Sequence, residues 1–236
     1  MALLTVVEDE AALAAHAAQR FAAIVGEAVR LRRRALVALT GGTTPRRMYR
    51  MLGQDPHRVP WRSVHVYWGD ERCVPPDHDD SNYGMAREAL LAHVPIPETQ
   101  VHRMRGERPP DQAAADYERE LPGTFDLMLL GLGDDAHLAS IFPGSPVLDE
   151  TEHRVAAPWV PHLAAYRLTL TPPALLDARK ILVIVAGAHK APAVRAALNG
   201  PDATGRWPAQ ILRRAPDRVE WIVDRAAAGE LTWPHA

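Results

Sequence analysis

The 236-residue sequence contains a single cysteine, Cys73. An internal disulfide is therefore excluded, and so is a zinc site of the Cys-x-x-Cys type. No stretch approaches the roughly 18 uncharged apolar residues that a membrane-crossing helix needs. An excess of one charge is also missing: 27 basic residues face 29 acidic ones, for a net charge of −2. No global field draws in nucleic acid or an anionic membrane, so any anion site has to be local. Residues 1–10 carry Glu8, Asp9 and Glu10 where a signal peptide would carry basic residues and then an apolar run. There is no repeat at a 20–50-residue period and no low-complexity tail. These absences predict a cytoplasmic protein with neither a nucleic-acid nor a membrane partner.

What is present reads as one globular unit. Hydrophobic residues make up 47% and charged residues 24%, a balance that argues against a disordered chain. At 26.0 kDa, area scaling lets about 70% of the chain's surface be buried. Pro and Gly are spread along the chain, and the proline-containing loop at 107–110 is too short to divide it. A single domain over 1–236 is expected.

Apolar spacing predicts a helix over 10–30 with Asp9 as its cap, and Arg32, Arg33 and Arg34 read as its solvated end. Thereafter apolar runs and helical patterns alternate. Strands are expected at 35–39, 64–68, 101–104, 125–130, 166–170, 181–186 and 219–223. Helices are expected at 45–52, 83–93, 112–120, 172–178 and 191–198. This alternation predicts an α/β fold: an open, mostly parallel Rossmann-like sheet with helices on both faces. Residues 150–163 are poor in periodicity, leaving room for a small antiparallel excursion near 150–170. Trp159, Trp207, Trp221 and Trp233 read as packing residues.

In such a sheet ligands bind beyond the carboxyl ends of the strands. Four strands there are followed by glycine and polar groups. Gly41-Gly42-Thr43-Thr44-Pro45 reads either as a phosphate cradle or as a plain strand-to-helix turn. It is not the P-loop pattern. Gly69-Asp70-Glu71-Arg72 reads as a recognition cluster or as an exposed charged turn, with Ser81-Asn82 able to cap the next helix. Gly131-Leu132-Gly133-Asp134-Asp135-Ala136-His137 puts a carboxylate two residues before a histidine, an arrangement suited to general-base work. Asp134, Asp135 and His137 could start a metal site, but further ligands are not evident and none is expected. The acidic stretch 77–80 reads as a solvated loop. Arg167 starts a strand. Lys190 stands at a helix start, against the dipole, which suggests an anion partner. No Gly-x-Ser-x-Gly elbow and no complete dinucleotide fingerprint occur, and Cys73 shows no sign of activation.

Taken together these segments resemble the 6-phosphogluconolactonase family, within the fold group that includes glucosamine-6-phosphate deaminase. The resemblance rests on five pieces in order between about 40 and 190: the Gly41–Thr43 turn, Trp68-Gly69-Asp70-Glu71-Arg72 with Ser81-Asn82, the stretch from Leu130 to Pro143, Arg167-x-Thr169-x-Thr171, and Gly187 with Lys190. Where the family has Asp-Gly-His-Thr, this chain has Asp135-Ala136-His137-Leu138. The resemblance implies hydrolysis of 6-phospho-D-glucono-1,5-lactone, the second step of the oxidative pentose phosphate pathway, with no cofactor and no metal. It implies His137 as the base and Asp135 as its orienting group. Gly41, Gly42, Thr43, Asp70, Arg72, Asn82, Gly133, Arg167 and Lys190 would bind the phosphate and hydroxyls of the lactone, a small-molecule partner. A monomer or small homo-oligomer is expected. The alternatives are a glucosamine-6-phosphate deaminase-like enzyme and a non-catalytic sugar-phosphate sensor.

Overall fold

The computed structural model describes residues 2–232. Its ten strands form two sheets. β1 (Leu3–Val7), β2 (Ala35–Leu39), β3 (Val64–Trp68), β5 (Leu127–Leu130), β9 (Ile181–Val185) and β10 (Val219–Asp224) make a wholly parallel sheet in the order β1-β10-β9-β5-β2-β3. The central strands explain their own apolar runs. Every residue of β5 and β9 is buried, as expected of strands covered on both faces. The covering helices are α1 (Glu10–Arg32), α2 (Thr43–Gln54), α3 (Asn82–Ala89), α4 (Pro110–Glu120), α5 (Pro172–Leu176) and α6 (Ala191–Leu198). Asp9 caps α1, accepting from the Ala12 amide at 2.8 Å. Arg33 ends it in the left-handed conformation, at φ 65°.

The second sheet is antiparallel. β4 (Asp70–Arg72), β6 (Val155–Ala156) and β7 (Trp159–Val160) all pair with β8 (Ala165–Leu170). The excursion expected near 150–170 is this sheet, and the strand carrying Arg167 belongs to it rather than to the main sheet. One continuous apolar cluster contains residues of both sheets, including Leu168 and Leu170 beside Leu129 and Ile184.

Several expectations need correction. β1 and β4 went unforeseen: β1 is a half-exposed edge strand, and β4 is three polar residues long. At 101–104 there is no strand. Only Val101 bridges to Val66, and the His102 carbonyl then takes the Tyr117 hydroxyl instead of a ladder partner. The helix expected to run to 93 stops at Ala89 and gives way to a 3₁₀ turn at Leu91–His93. Pro45 is the third residue of α2, not the first. Trp221 is buried as expected, but Trp159 is 51% exposed and pairs edge-on with Tyr166. Trp233 lies outside the described residues.

Candidate functional site

The turns after β2, β3, β5 and β9 meet at the carboxyl edge of the main sheet. They enclose a cleft of about 210 Å³ lined by Gly41, Gly42, Thr43, Asp70, Arg72, Asn82, Gly133, His137 and Lys190. A second opening of about 520 Å³ shares Asp70, Arg72, Gly133, His137 and Lys190, and adds Asp135 and Arg167. Every site residue expected from the sequence therefore lines one connected depression.

The β2 turn is fixed from below. The buried Tyr49 hydroxyl accepts from the Thr40 amide at 3.0 Å and donates to the Thr40 carbonyl at 2.9 Å. Burial pushes its phenol well above the usual range. Gly42 has φ 109°, where an L side chain is strained. Gly41 is needed for a different reason: a Cβ there would stand 1.7 Å from Asn82 Oδ1. The two glycines thus bring bare backbone to the start of α2 and against Asn82, a geometry suited to an anion.

β4 is held by buried acids. Glu71 is 2% exposed and accepts from the amides of Arg72, Asn82 and Tyr83 and from the Ser81 hydroxyl. Burial raises its carboxyl above the usual value, and the amide hydrogen bonds only partly offset that. Ser81 caps α3, accepting from the Gly84 amide at 3.0 Å. Asp70 accepts from the Ser140 hydroxyl at 2.7 Å, and Asn82 Nδ2 donates to the Asp70 carbonyl at 2.9 Å. The Ser140 amide in turn donates to Thr169 Oγ1 at 3.1 Å. Arg72 stands directly across from Arg167 in the antiparallel register. Like charges placed opposite each other are destabilising. Burial and the charge of Arg72 together lower the Arg167 guanidinium. An anion between the two arginines would relieve both effects.

The loop after β5 closes on itself, with the Gly133 amide donating to the His137 carbonyl and the Ala136 amide to the Gly133 carbonyl, each at 3.0 Å. Within it, Asp135 Oδ1 stands 2.7 Å from His137 Nδ1 and 3.1 Å from the His137 amide nitrogen. Burial alone would raise the Asp135 carboxyl, but the hydrogen bonds and charge of His137 outweigh it and hold the carboxyl below its usual value. An ionised carboxylate only accepts, so Nδ1 carries the proton and Nε2 is the basic nitrogen of the neutral ring. Gly133 allows this packing: a Cβ there would sit 2.0 Å from Nδ1.

Ala136 adopts φ 60° and Ala139 φ 50°. A left-handed alanine costs about 1–2 kcal/mol. Ala136 is fully buried, and its methyl returns about 0.8 kcal/mol. Burial thus offsets part of the strain of the left-handed turn. Leu138 has no hydroxyl and is wholly buried, an added piece of core beneath the loop.

Lys190 has its anion partner within the chain: Nζ lies 2.5 Å from Asp134 Oδ1. Asp224, buried at the end of β10, accepts from the amides of Gly187 and Ala227 and fixes the turn that presents Lys190. Sequence reasoning missed the roles of Ser140 and Asp134, and two wall residues. The Phe142 ring is 4.4 Å from that of His137, and His162 stands edge-on to Phe142 at 5.0 Å. Phe142 follows His137 in the same loop, within the stretch from Leu130 to Pro143, whereas nothing in the spacing of His162 marks it, because the turn between β7 and β8 of the small sheet brings it in. Among the described residues no group of three His, Cys, Asp or Glu side chains could hold a metal ion.

A profile of the family described as glucosamine-6-phosphate isomerases/6-phosphogluconolactonase matches residues 8–221. The 6-phosphogluconolactonase of Mycobacterium tuberculosis is 40% identical over 238 residues, covering 94% of this chain and 96% of that protein. That of Nostoc is 35% identical, covering 96% and 97%. Among solved structures, the 6-phosphogluconolactonase of Trypanosoma brucei superposes with a TM-score of 0.88 at 29% identity, over 98% of this chain and 99% of that one. A monomeric glucosamine-6-phosphate deaminase shares the fold, with a TM-score of 0.86 at 21% identity over 97% of this chain and 100% of that one.

Proposed function

This chain belongs to the glucosamine-6-phosphate isomerase/6-phosphogluconolactonase family, and from that premise we infer that it hydrolyses 6-phospho-D-glucono-1,5-lactone to 6-phosphogluconate. The observation that carries the chemistry is the Asp135–His137 pair at 2.7 Å, facing a cleft whose other wall is the glycine turn of α2.

The lactone's phosphate binds among Gly41, Gly42, Thr43, Arg72, Arg167 and Lys190, where backbone amides and fixed cations match a dianion. Lys190 exchanges Asp134 for the substrate's phosphate. Asp70 and Asn82, locked by Ser140 and the β4 backbone, orient ring hydroxyls. His137 Nε2 then takes a proton from water, and the hydroxide adds to the lactone carbonyl carbon. The tetrahedral intermediate collapses by breaking the bond between that carbon and the ring oxygen. The imidazolium returns its proton to the ring oxygen, leaving a free hydroxyl and a carboxylic acid that ionises. No metal is required. The lone cysteine and the metabolic substrate suit a cytoplasmic enzyme, acting as a monomer or small homo-oligomer.

The test is lactone hydrolysis with substrate made in situ by glucose-6-phosphate dehydrogenase and product read through 6-phosphogluconate dehydrogenase. A rate well above the spontaneous one, unchanged by a metal chelator, is the expected result. Ammonia release from glucosamine 6-phosphate, with no lactone turnover, would replace this reading with the deaminase one.

A further inference from the structure

At the opposite, amino-terminal edge of the main sheet lies a second cavity of about 760 Å³, remote from the catalytic turns. Its size is within the roughly 300–1,000 Å³ usual for small-molecule sites. Four arginines line it, Arg32, Arg33, Arg34 and Arg179, against one carboxylate, Asp126, so its lining carries 4 − 1 = +3 in a protein of net charge −2. Asp126 is already committed: it accepts from Arg32 Nε at 2.8 Å and from the Leu36 amide at 2.9 Å, and Arg179 approaches it only to 3.6 Å. Glu120, whose charge reaches Tyr67 and His102, does not line the cavity and pairs with Arg105 at 3.7 Å. No side-chain hydrogen bond or ion pair holds Arg33 or Arg34 among the described residues.

A helix C-terminus attracts cations within its last turn, which accounts for Arg32. It does not account for Arg33 and Arg34, which lie beyond α1, or for Arg179, which comes from the connection before β9. Two connections, α1 to β2 and α5 to β9, thus turn guanidinium groups toward one opening. The wall between them is a stack of planar rings: Tyr67 on His102 at 4.3 Å and 10°, and His102 on His65 at 5.4 Å and 14°. His65 Nδ1 and His102 Nε2 share a hydrogen bond of 3.1 Å.

We propose that this cavity is a second, non-catalytic binding site for a small phosphorylated polyanion, held by Arg33, Arg34 and Arg179 beside the Tyr67–His102–His65 stack. The ligand carries at least two negative charges, as a nucleotide or a sugar phosphate does. Guanidinium–phosphate pairing supplies the affinity, so binding weakens as salt rises.

Calorimetric titration with inorganic pyrophosphate tests this in Arg72→Ala/Lys190→Ala protein, in which the catalytic cleft is disabled. Pyrophosphate is expected to bind one site there. Adding Arg33→Gln/Arg34→Gln, both exposed side chains, is expected to weaken it by at least about tenfold. In otherwise wild-type protein the same pair of changes should leave lactone turnover and the melting temperature unaltered, so failure here is separable from failure of the lactonase reading. Arg179→Gln should weaken pyrophosphate binding independently should the double change disturb the end of α1. Parallel titrations with ATP and with glucose 6-phosphate assign the source to whichever binds more tightly. Pyrophosphate binding unaffected by both sets of changes, or no binding at millimolar concentration, overturns the proposal.

Discussion

A base must be both oriented and unprotonated, and in the proposed reaction two residues of the loop after β5 divide that work. Replacing His137 with alanine removes the proton acceptor and leaves the phosphate contacts. The expected result is a fall in kcat of about 10²–10⁴-fold with little change in KM, read by steady-state kinetics in the coupled assay. Arg72→Ala should do the reverse, raising KM with a smaller effect on kcat, since it weakens binding in ground and transition states alike. The lowered Asp135 carboxyl has a consequence for stability. A carboxylate whose folded pKa lies below its unfolded value stabilises the fold above the unfolded value, and loses that contribution as pH falls through the folded one. The stability difference between wild type and Asp135→Asn should therefore be level from about pH 7 to pH 5 and shrink below about pH 4, in denaturant titrations at each pH.

Among the elements, β4 and the start of α3 are the most dependent on a single group. Glu71 satisfies three backbone amides and one hydroxyl that nothing else reaches. Its removal would strand those donors in a buried place, a loss large enough to outweigh relief from burying a charge. Glu71→Ala should cost about 3 kcal/mol in urea unfolding. It should also raise KM, because Arg72 and Asn82 are placed by the same strand and helix. At the other wall, Asp224 does for the β9 turn what Glu71 does for β4. The cleft is thus built on acids buried beneath it, while its own lining mixes Arg72, Arg167 and Lys190 with Asp70, Asp134 and Asp135.

Across the whole molecule the two sheets share one apolar core, and neither has a core of its own. The four short strands of the small sheet are too limited to fold alone. We expect one cooperative transition, with tryptophan fluorescence and far-UV circular dichroism melting together. Trp61, Trp68 and Trp221 are buried and report on the main sheet. Separate transitions would show two folding units. Charge is also distributed at this scale: the catalytic cleft and the arginine-lined cavity lie at opposite edges of a nearly neutral protein.

The residues alone determined the parallel core. Runs such as Leu127–Leu130 and Ile181–Val185 are too apolar to lie anywhere but between two covering layers, and the glycine turns behind them had to meet at one edge. They also determined the Asp135–His137 pair proposed as the general base, because the two are close in sequence and meet within a single turn. Tertiary structure decided what short polar segments do. Asp70–Arg72 becomes a strand only because β8, distant in sequence, offers it partners in register, Asp70 against Thr169 and Glu71 against Leu168. The same pairing sets Arg72 against Arg167, and the small sheet brings His162 to Phe142. Asp134 meets Lys190 only because β5 and β9 are neighbours. Local periodicity records which face of an element is buried, but a polar pair between distant segments is an energy of the folded arrangement and leaves no period behind.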